Sequence, residues 1–157
     1  MENLSESLKE HPLKGFLGIA HTRWATHGEP SGLNAHPHTS DQRIALVHNG
    51  IIENHQQLRE ALTAEGVSFS SDTDTEVVVH RIHFYLSSKN DLYAAVNLTV
   101  RELEGAYALA VISKDEPQKM IVSGQINCMI SQNVSSHFNS LNTTFSVSGS
   151  IKPFSPL

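Results

Sequence analysis

The chain has 157 residues, enough for one domain with a single hydrophobic core, and its 39% hydrophobic and 17% charged residues suit a globular protein. A formal net charge of −5 without any run of Lys or Arg excludes a nucleic-acid partner, and no apolar stretch reaches the ~18 residues that a membrane span needs. We therefore expect a cytoplasmic protein that binds neither nucleic acid nor membrane, and its lone cysteine, Cys128, fits a reducing compartment.

The amino-terminal part divides into a polar lead-in, residues 1–14, and the start of an ordered domain over 15–124. The apolar run "GFLGIA", residues 15–20, predicts a buried strand because glycines bound it. The following loop, residues 25–42, is long, polar and rich in histidine, which is typical of a binding loop. A second strand is predicted over Arg43–Gly50.

The middle of the chain predicts three helices. The first has Asn54 as its N-cap and ends at Gly66, and a brief strand, "VSFS", follows it. The second opens with the capping-box pattern Thr73-x-x-Glu76, and the third runs from Asp91 to a glycine at position 105. Two strands, "AYALAVI" and "MIVSG", then flank the turn "KDEP". Strands and helices thus come in mixed order along the chain.

The last segment, residues 125–157, differs in composition from the rest. Lys152 is its one Lys, Arg, Asp or Glu side chain, and it is rich in serine and asparagine. Two interpretations remain open for this divergent tail: a flexible appendage with a few apolar anchors, or the product of an altered reading frame or misjudged gene boundary.

Three polar segments, "HTRWATHG", "HNGIIENH" and "SDTDTE", follow or end predicted elements. The planar guanidinium of Arg23 suits a carboxylate. Asn49 and Gly50 offer a side-chain and a backbone N–H side by side, as an oxyanion hole requires. Asp74 can accept a hydrogen bond from an ammonium group. Together these residues could hold an amino acid by both charged ends and polarise an amide between them.

Each of these residues also has a purely structural interpretation. Arg23 could pair with Glu29, the Asn49–Gly50 pair could form a hairpin turn, and Asp72 or Asp74 could cap the following helix. Spacing alone does not decide between the two interpretations.

Histidine spacing also raises a metal hypothesis. His36 and His38 form a close pair, and His80 and His83 have helical i,i+3 spacing. No H-E-x-x-H motif, second cysteine or suitably placed carboxylate completes a zinc site, so we expect no metal.

The three polar segments in this order, extended through "GIAHTRWATHGEPSGLNAHPH", "LVHNGIIENHQQLREAL", "SDTDTEVV" and "LEGAYALAVI", closely resemble the glutaminase domain of the glutamine:fructose-6-phosphate aminotransferase (isomerizing) family. The resemblance implies a class II glutamine amidotransferase domain with the N-terminal-nucleophile hydrolase fold. That fold is a four-layer α/β/β/α sandwich of antiparallel sheets, here incomplete at its N-terminus. No cofactor is implied.

Residue roles follow from the same resemblance. It implies that Arg23 binds the α-carboxylate of glutamine and Asp74 its α-ammonium group. Asn49, through its side chain, and Gly50, through its backbone N–H, would form the oxyanion hole. Three further residues would complete the glutamine pocket: Trp24, Thr26 and His27.

The resemblance also implies a nucleophilic cysteine at the mature N-terminus and separate isomerase domains that bind fructose 6-phosphate. The printed chain begins Met1-Glu2, and Cys128 lies in the divergent tail. We therefore expect a partial glutaminase domain that is inactive in isolation. Two alternatives stay open: a non-catalytic glutamine-binding or regulatory module, and a truncated gene product without a function of its own.

Overall fold

The computed structural model describes residues 6, 9–10, 17–22 and 31–125, together with the backbone of 143–148. It contains five strands and three helices within those ranges. The strands are β1 (His38–Ser40), β2 (Ile44–Ile52), β3 (Gly105–Ser113), β4 (Lys119–Gln125) and β5 (Thr143–Ser148). The helices are α1 (His55–Ala64), α2 (Asp74–Lys89) and α3 (Leu92–Val100).

The strands form one sheet in the order β1-β2-β3-β4-β5, and every neighbouring pair is antiparallel. β2 and β3 pair along their whole lengths, from Ile44 opposite Ser113 to Ile52 opposite Gly105. β5 lies in the segment that we separated as the divergent tail, and it pairs with β4 at the edge of the sheet. The predicted tail boundary at residue 125 itself stays a prediction.

The hydrophobic core lies between one face of the sheet and the helices. α2 packs against β1 and β2, α3 packs against α2 and β4, and α1 packs against α2. The predicted packing positions of α3 are all buried: Leu92, Val96, Val100 and, just beyond the helix, Leu103. Burial of such aliphatic side chains is worth about 1.5–3 kcal/mol each.

The other face of the sheet also carries apolar side chains. Alternation along the strands places Ile51 of β2 and Val122 of β4 on it, and they remain 43% and 37% exposed. Alanines at positions 106, 108 and 110 share this face in β3. The described residues therefore form two layers, one sheet and one helical layer, of the four-layer sandwich that the sequence predicts.

The capping-box prediction for α2 is half right. The Thr73 hydroxyl accepts a hydrogen bond from the Glu76 N–H at 3.2 Å, as predicted. The Glu76 carboxylate does not return to Thr73. It accepts four hydrogen bonds of 2.7–2.8 Å from the N–H and hydroxyl groups of Ser70 and Ser71. It therefore fixes the loop that leads into the helix.

Three local predictions are wrong, and a fourth, the cap at Asn54, is right in position only. Residues 17–20 of "GFLGIA" and all of "VSFS" lie outside regular secondary structure. Asn54 occupies the N-cap position of α1 without a side-chain capping bond, because its amide instead donates to the Glu102 carbonyl and accepts from the Glu104 N–H. α3 ends at Val100, and Gly105 begins β3.

Two other helix ends agree with the sequence. The Asp91 side chain accepts from the Tyr93 N–H at the start of α3. Gly66 follows α1 with a φ of 90°, the left-handed region that glycine adopts readily. None of the helices within the described ranges is long and apolar enough to cross a membrane.

We predict that Gly50→Ala destabilises the protein by about 3 kcal/mol or more. Gly50 has a φ of 116°, and a Cβ there would overlap the Ala106 carbonyl oxygen and lie 2.8 Å from the Tyr107 Cα. The matched control is Gly32→Ala, because a Cβ at Gly32 meets nothing within 4 Å. Urea unfolding of the three proteins measures the difference, and equal midpoints for both variants would contradict the prediction.

The second stability prediction concerns Glu76. Burial alone would raise the pKa of this carboxyl group, but the hydrogen bonds from Ser71 and Ser70 outweigh burial and lower the pKa from 4.5 to about 2. A lowered folded-state pKa stabilises the fold above pH 4.5, and that stabilisation disappears as the pH falls from 4.5 toward 2.

Glu76→Gln should therefore cost about 2 kcal/mol near pH 6, since an amide N–H₂ would face N–H and hydroxyl donors. The cost should shrink toward pH 2.5. The exposed Glu60→Gln is the matched control. Unfolding free energies measured from pH 6 to pH 2.5 test this, and a pH-independent difference between wild type and Glu76→Gln would refute it.

Candidate functional site

Asn49 and Gly50 lie inside β2, opposite Ala108 and Tyr107 of β3. The hairpin-turn interpretation of this pair is therefore wrong. Both residues are exposed, although β2 is buried at alternate positions before them and again at Ile52. The carboxyl-terminal end of β2 thus presents an amide side chain and a glycine backbone at the surface.

His21 contacts the Asn49 side chain. The distance from His21 Nε2 to Asn49 Oδ1 is 2.6 Å. A carbonyl oxygen only accepts hydrogen bonds, so the imidazole must donate. This leaves the Asn49 Nδ2 group, a double donor, on the opposite side of the amide.

Asp74 is the first residue of α2 and is only 3% exposed. Its Oδ2 accepts a hydrogen bond from the Ile52 backbone N–H at 3.0 Å. This bond brings Asp74 to the same end of β2 as Asn49 and Gly50. The N-terminus of α2 favours the negative charge, and a carboxylate has about four acceptor sites, so the group suits a cationic ligand.

Histidine side chains and the Thr75 hydroxyl connect the Asn49 side chain with the Asp74 carboxylate. Thr75 Oγ1 lies 3.0 Å from both His36 Nε2 and His48 Nδ1, and it donates toward Asp74 Oδ1 at 3.4 Å. Because a hydroxyl has a single hydrogen, donation to Asp74 makes both imidazoles donors to Thr75. His48 Nδ1 is also 3.7 Å from Asp74 Oδ1. The His36 ring in turn packs on His21, with 4.7 Å between ring centroids.

A second histidine group lies beside Glu76. Ser40 Oγ is 3.0 Å from His80 Nδ1 and 2.7 Å from His83 Nδ1. His80 Nε2 is 3.6 Å from Glu76 Oε1. Burial lowers the pKa of His80, and the nearby Glu76 carboxylate opposes this only in part. We therefore assign this group a structural role at the junction of β1 and α2.

The histidine pairs of the metal hypothesis thus contact hydroxyl groups. His38 Nε2 is 3.0 Å from Thr73 Oγ1, and the other three bond to Thr75 or Ser40. Within the ranges that the structure describes, no three His, Cys, Asp or Glu side chains are arranged to hold a metal ion.

The structure tests only part of the predicted site. Four of the predicted glutamine contacts lie outside the described residues: Arg23, Trp24, Thr26 and His27. Cys128 also lies outside them. Asn49 and Gly50 lie near the end of β2, and Asp74 accepts from the backbone N–H of Ile52, the last residue of that strand. The binding roles of these three residues stay predictions. The capping interpretation of Asp72 and Asp74 is wrong, because Thr73 is the residue that caps α2.

Sequence reasoning missed His21 and Thr75 as members of the site. Both lie within the motifs that we singled out, each next to or near a predicted ligand-binding residue. The Thr75 hydroxyl, directly after Asp74, is a sequence signal for a further polar residue of the site. Its histidine partners, His48 and His36, lie 27 and 39 residues away in sequence. No local pattern predicts contacts of that kind.

Comparisons with known proteins found a matching family and several relatives. A family model described as a glutamine amidotransferase domain matches residues 21–127. The glutamine–fructose-6-phosphate aminotransferase (isomerizing) of Shewanella oneidensis is 56% identical over 123 residues, and that of Pseudomonas aeruginosa is 55% identical over 121. The alignments cover 78% and 77% of this chain. The chain spans about one fifth, 20%, of the length of these relatives.

Solved structures support the same fold. The glutamine phosphoribosylpyrophosphate amidotransferase of Bacillus subtilis, complexed with ADP and GMP, is 30% identical and superposes with a TM-score of 0.55. A structure titled as the allosteric regulatory enzyme of purine biosynthesis is 31% identical, with a TM-score of 0.56. Each match covers 66% of this chain and 22% of the other.

The fold prediction, an α+β domain of the N-terminal-nucleophile hydrolase type, is confirmed by these structures and by the antiparallel sheet. The family model matches more than half of the chain, and it includes all three polar segments. The chain belongs to the glutamine amidotransferase family.

Proposed function

We propose that this chain binds L-glutamine at the carboxyl-terminal end of β2 and polarises its side-chain amide. Asp74 binds the α-ammonium group, while the Asn49 side chain and the Gly50 N–H stabilise the oxyanion. Arg23 binds the α-carboxylate, and Trp24, Thr26 and His27 complete the pocket. The observation that carries this proposal is the hydrogen bond from the Ile52 N–H to Asp74, which brings the start of α2 to the end of the strand that carries Asn49 and Gly50.

The geometry near Asp74 supports a cation-binding role. A carboxylate that is 3% exposed loses most of its hydration, so an ammonium ligand restores favourable electrostatics. Rigid elements hold the group in place, because it begins α2 and bonds to β2. A preorganised site of this kind loses little conformational entropy when a ligand binds.

The geometry near Asn49 supports oxyanion stabilisation. Hydrolysis of the glutamine amide develops negative charge on the carbonyl oxygen, and preorganised N–H donors lower the energy of that state. Asn49 Nδ2 and the Gly50 N–H belong to adjacent residues of one strand. In the family that the sequence resembles, the attacking thiolate belongs to an N-terminal cysteine.

We further propose that this chain contributes to the reaction after which its relatives, the glutamine–fructose-6-phosphate aminotransferases, are named. Glutamine hydrolysis would yield glutamate and ammonia, and the ammonia would pass to fructose 6-phosphate to form glucosamine 6-phosphate. The 50–56% identity to glutamine–fructose-6-phosphate aminotransferases supports this choice over the purine enzymes, at 30–31%. The sugar phosphate would bind to a part of the relatives that this chain does not span.

Calorimetric titration of the 157-residue chain with L-glutamine tests the proposal, and we predict saturable heat. Asp74→Asn should weaken glutamine binding by at least about 30-fold, because it removes one partner of a buried charge pair. The same substitution should not weaken the binding of glutaramate, which keeps the carboxylate and the amide of glutamine but lacks the ammonium group. This selective loss distinguishes a ligand contact from general damage to the fold.

The matched control is Asp72→Asn, an exposed aspartate two residues earlier in the same loop. It should bind glutamine as the wild type does. A chain that unfolds cooperatively on heating but shows no heat with glutamine would contradict the proposed function. Equal weakening by Asp74→Asn and Asp72→Asn would contradict the assigned role of Asp74.

A further inference from the structure

We propose that His21 is a positioning residue that holds the Asn49 amide in the orientation that an oxyanion hole requires. This inference rests on the proposed function of Asn49. It assigns a role to a side chain that the glutamine contacts proposed above do not include.

The chemistry of an amide side chain explains the need for such a residue. A 180° rotation of the Asn49 amide exchanges its oxygen and its N–H₂ group with almost no change in shape. One orientation presents two N–H donors to a developing oxyanion, while the other presents an oxygen that repels it. A strand position alone does not distinguish the two orientations.

The contact between His21 and Asn49 makes this distinction. His21 Nε2 lies 2.6 Å from Asn49 Oδ1, and only the imidazole can donate in that pair. Among the described residues His21 Nδ1 has no hydrogen-bond partner, so the proton is better placed on Nε2, where it can be donated. In the rotated orientation, the N–H₂ group of Asn49 would face this N–H. The hydrogen bond therefore favours the state in which Nδ2 points away from His21.

His21 itself is supported by groups on rigid elements. Its ring contacts the His36 ring at 4.7 Å with an interplanar angle of 51°. His36 Nε2 is anchored 3.0 Å from Thr75 Oγ1, at the start of α2. Support of a ligand-contacting group by a second layer of hydrogen-bonded residues is a general way to fix its geometry. His21 and Asn49 are 28 residues apart, so the tertiary fold creates the contact.

Two substitutions separate positioning from packing. His21→Gln places an amide N–H near the position of Nε2, whereas His21→Phe keeps a ring and removes the donor. In the first experiment, NMR follows the Asn49 side-chain N–H₂ resonances of the full chain. We expect similar shifts in wild type and His21→Gln, and changed shifts in His21→Phe. Unchanged Asn49 resonances in His21→Phe would overturn the inference, whether or not glutamine binds.

The second experiment compares the affinities of L-glutamine and L-norleucine. Norleucine has the same α-groups and a side chain of similar length but no carbonyl oxygen. His21→Phe should weaken glutamine binding about 3- to 10-fold, leave norleucine unchanged, and be rescued by His21→Gln. Parallel weakening of both ligands would show a merely structural role and overturn the inference. Absence of glutamine binding by the wild type contradicts the proposed function instead, and the NMR result then decides the role of His21.

Discussion

The hydrogen bond from the Ile52 N–H to the Asp74 carboxylate joins the end of β2 to the start of α2, and the candidate site depends on this junction. Together with the contact of His48 with Thr75, it holds the motif that contains Asn49 beside the motif that contains Asp74. The bond is short enough, at 3.0 Å, and buried enough to fix both elements. The Asp74 carboxylate thus has a structural role and a proposed binding role. Such a double role is common where a ligand replaces part of the water that hydrates a side chain.

The loop before α2 is ordered by a separate carboxylate. Glu76 holds Ser70 and Ser71, and Arg59 donates to the carbonyl groups of Ser71 and Thr73. These contacts determine how the chain enters α2, and hence where Asp74 lies. Glu76 and Asp74 both lie in the first turn of α2, but their hydrogen-bond partners differ. Glu76 accepts from groups of the loop before the helix, whereas Asp74 accepts from the strand β2. Both carboxylates therefore support the fold, and we propose a ligand-binding role for Asp74 alone.

Much of the fold follows from the sequence because its signals are local. Strand alternation predicts β2, β3 and β4, and side-chain caps predict the starts of α2 and α3. The failures occur where a tertiary contact competes with a local preference. Asn54 is a good N-cap residue, yet its amide is used by Glu102 and Glu104, 48 and 50 residues away. "VSFS" has strand-forming residues, but Phe69 packs under the Arg59 guanidinium and beside His80 instead.

The candidate site shows the same division between local sequence signals and tertiary contacts. Residue chemistry singles out Asn49, Gly50 and Asp74 as candidates, and the family resemblance implies their roles, which stay predictions. The histidines that surround them suggested metal binding by their spacing, because spacing does not reveal which atoms the rings face. In the structure, each of the four bonds to a serine or threonine hydroxyl, which can donate or accept as its neighbours require.

This arrangement has a physical consequence for the site. A hydroxyl between two imidazoles can accept from both rings and donate onward. Around Thr75, both rings act as donors, so the hydroxyl hydrogen is directed toward Asp74. The Thr75 hydroxyl and the Ile52 N–H then both donate to the Asp74 carboxylate. A fixed cation in the same place would neutralise Asp74 and compete with an incoming ammonium group. These contacts order Asp74 through hydrogen bonds, which suits the ammonium ligand that we propose for it.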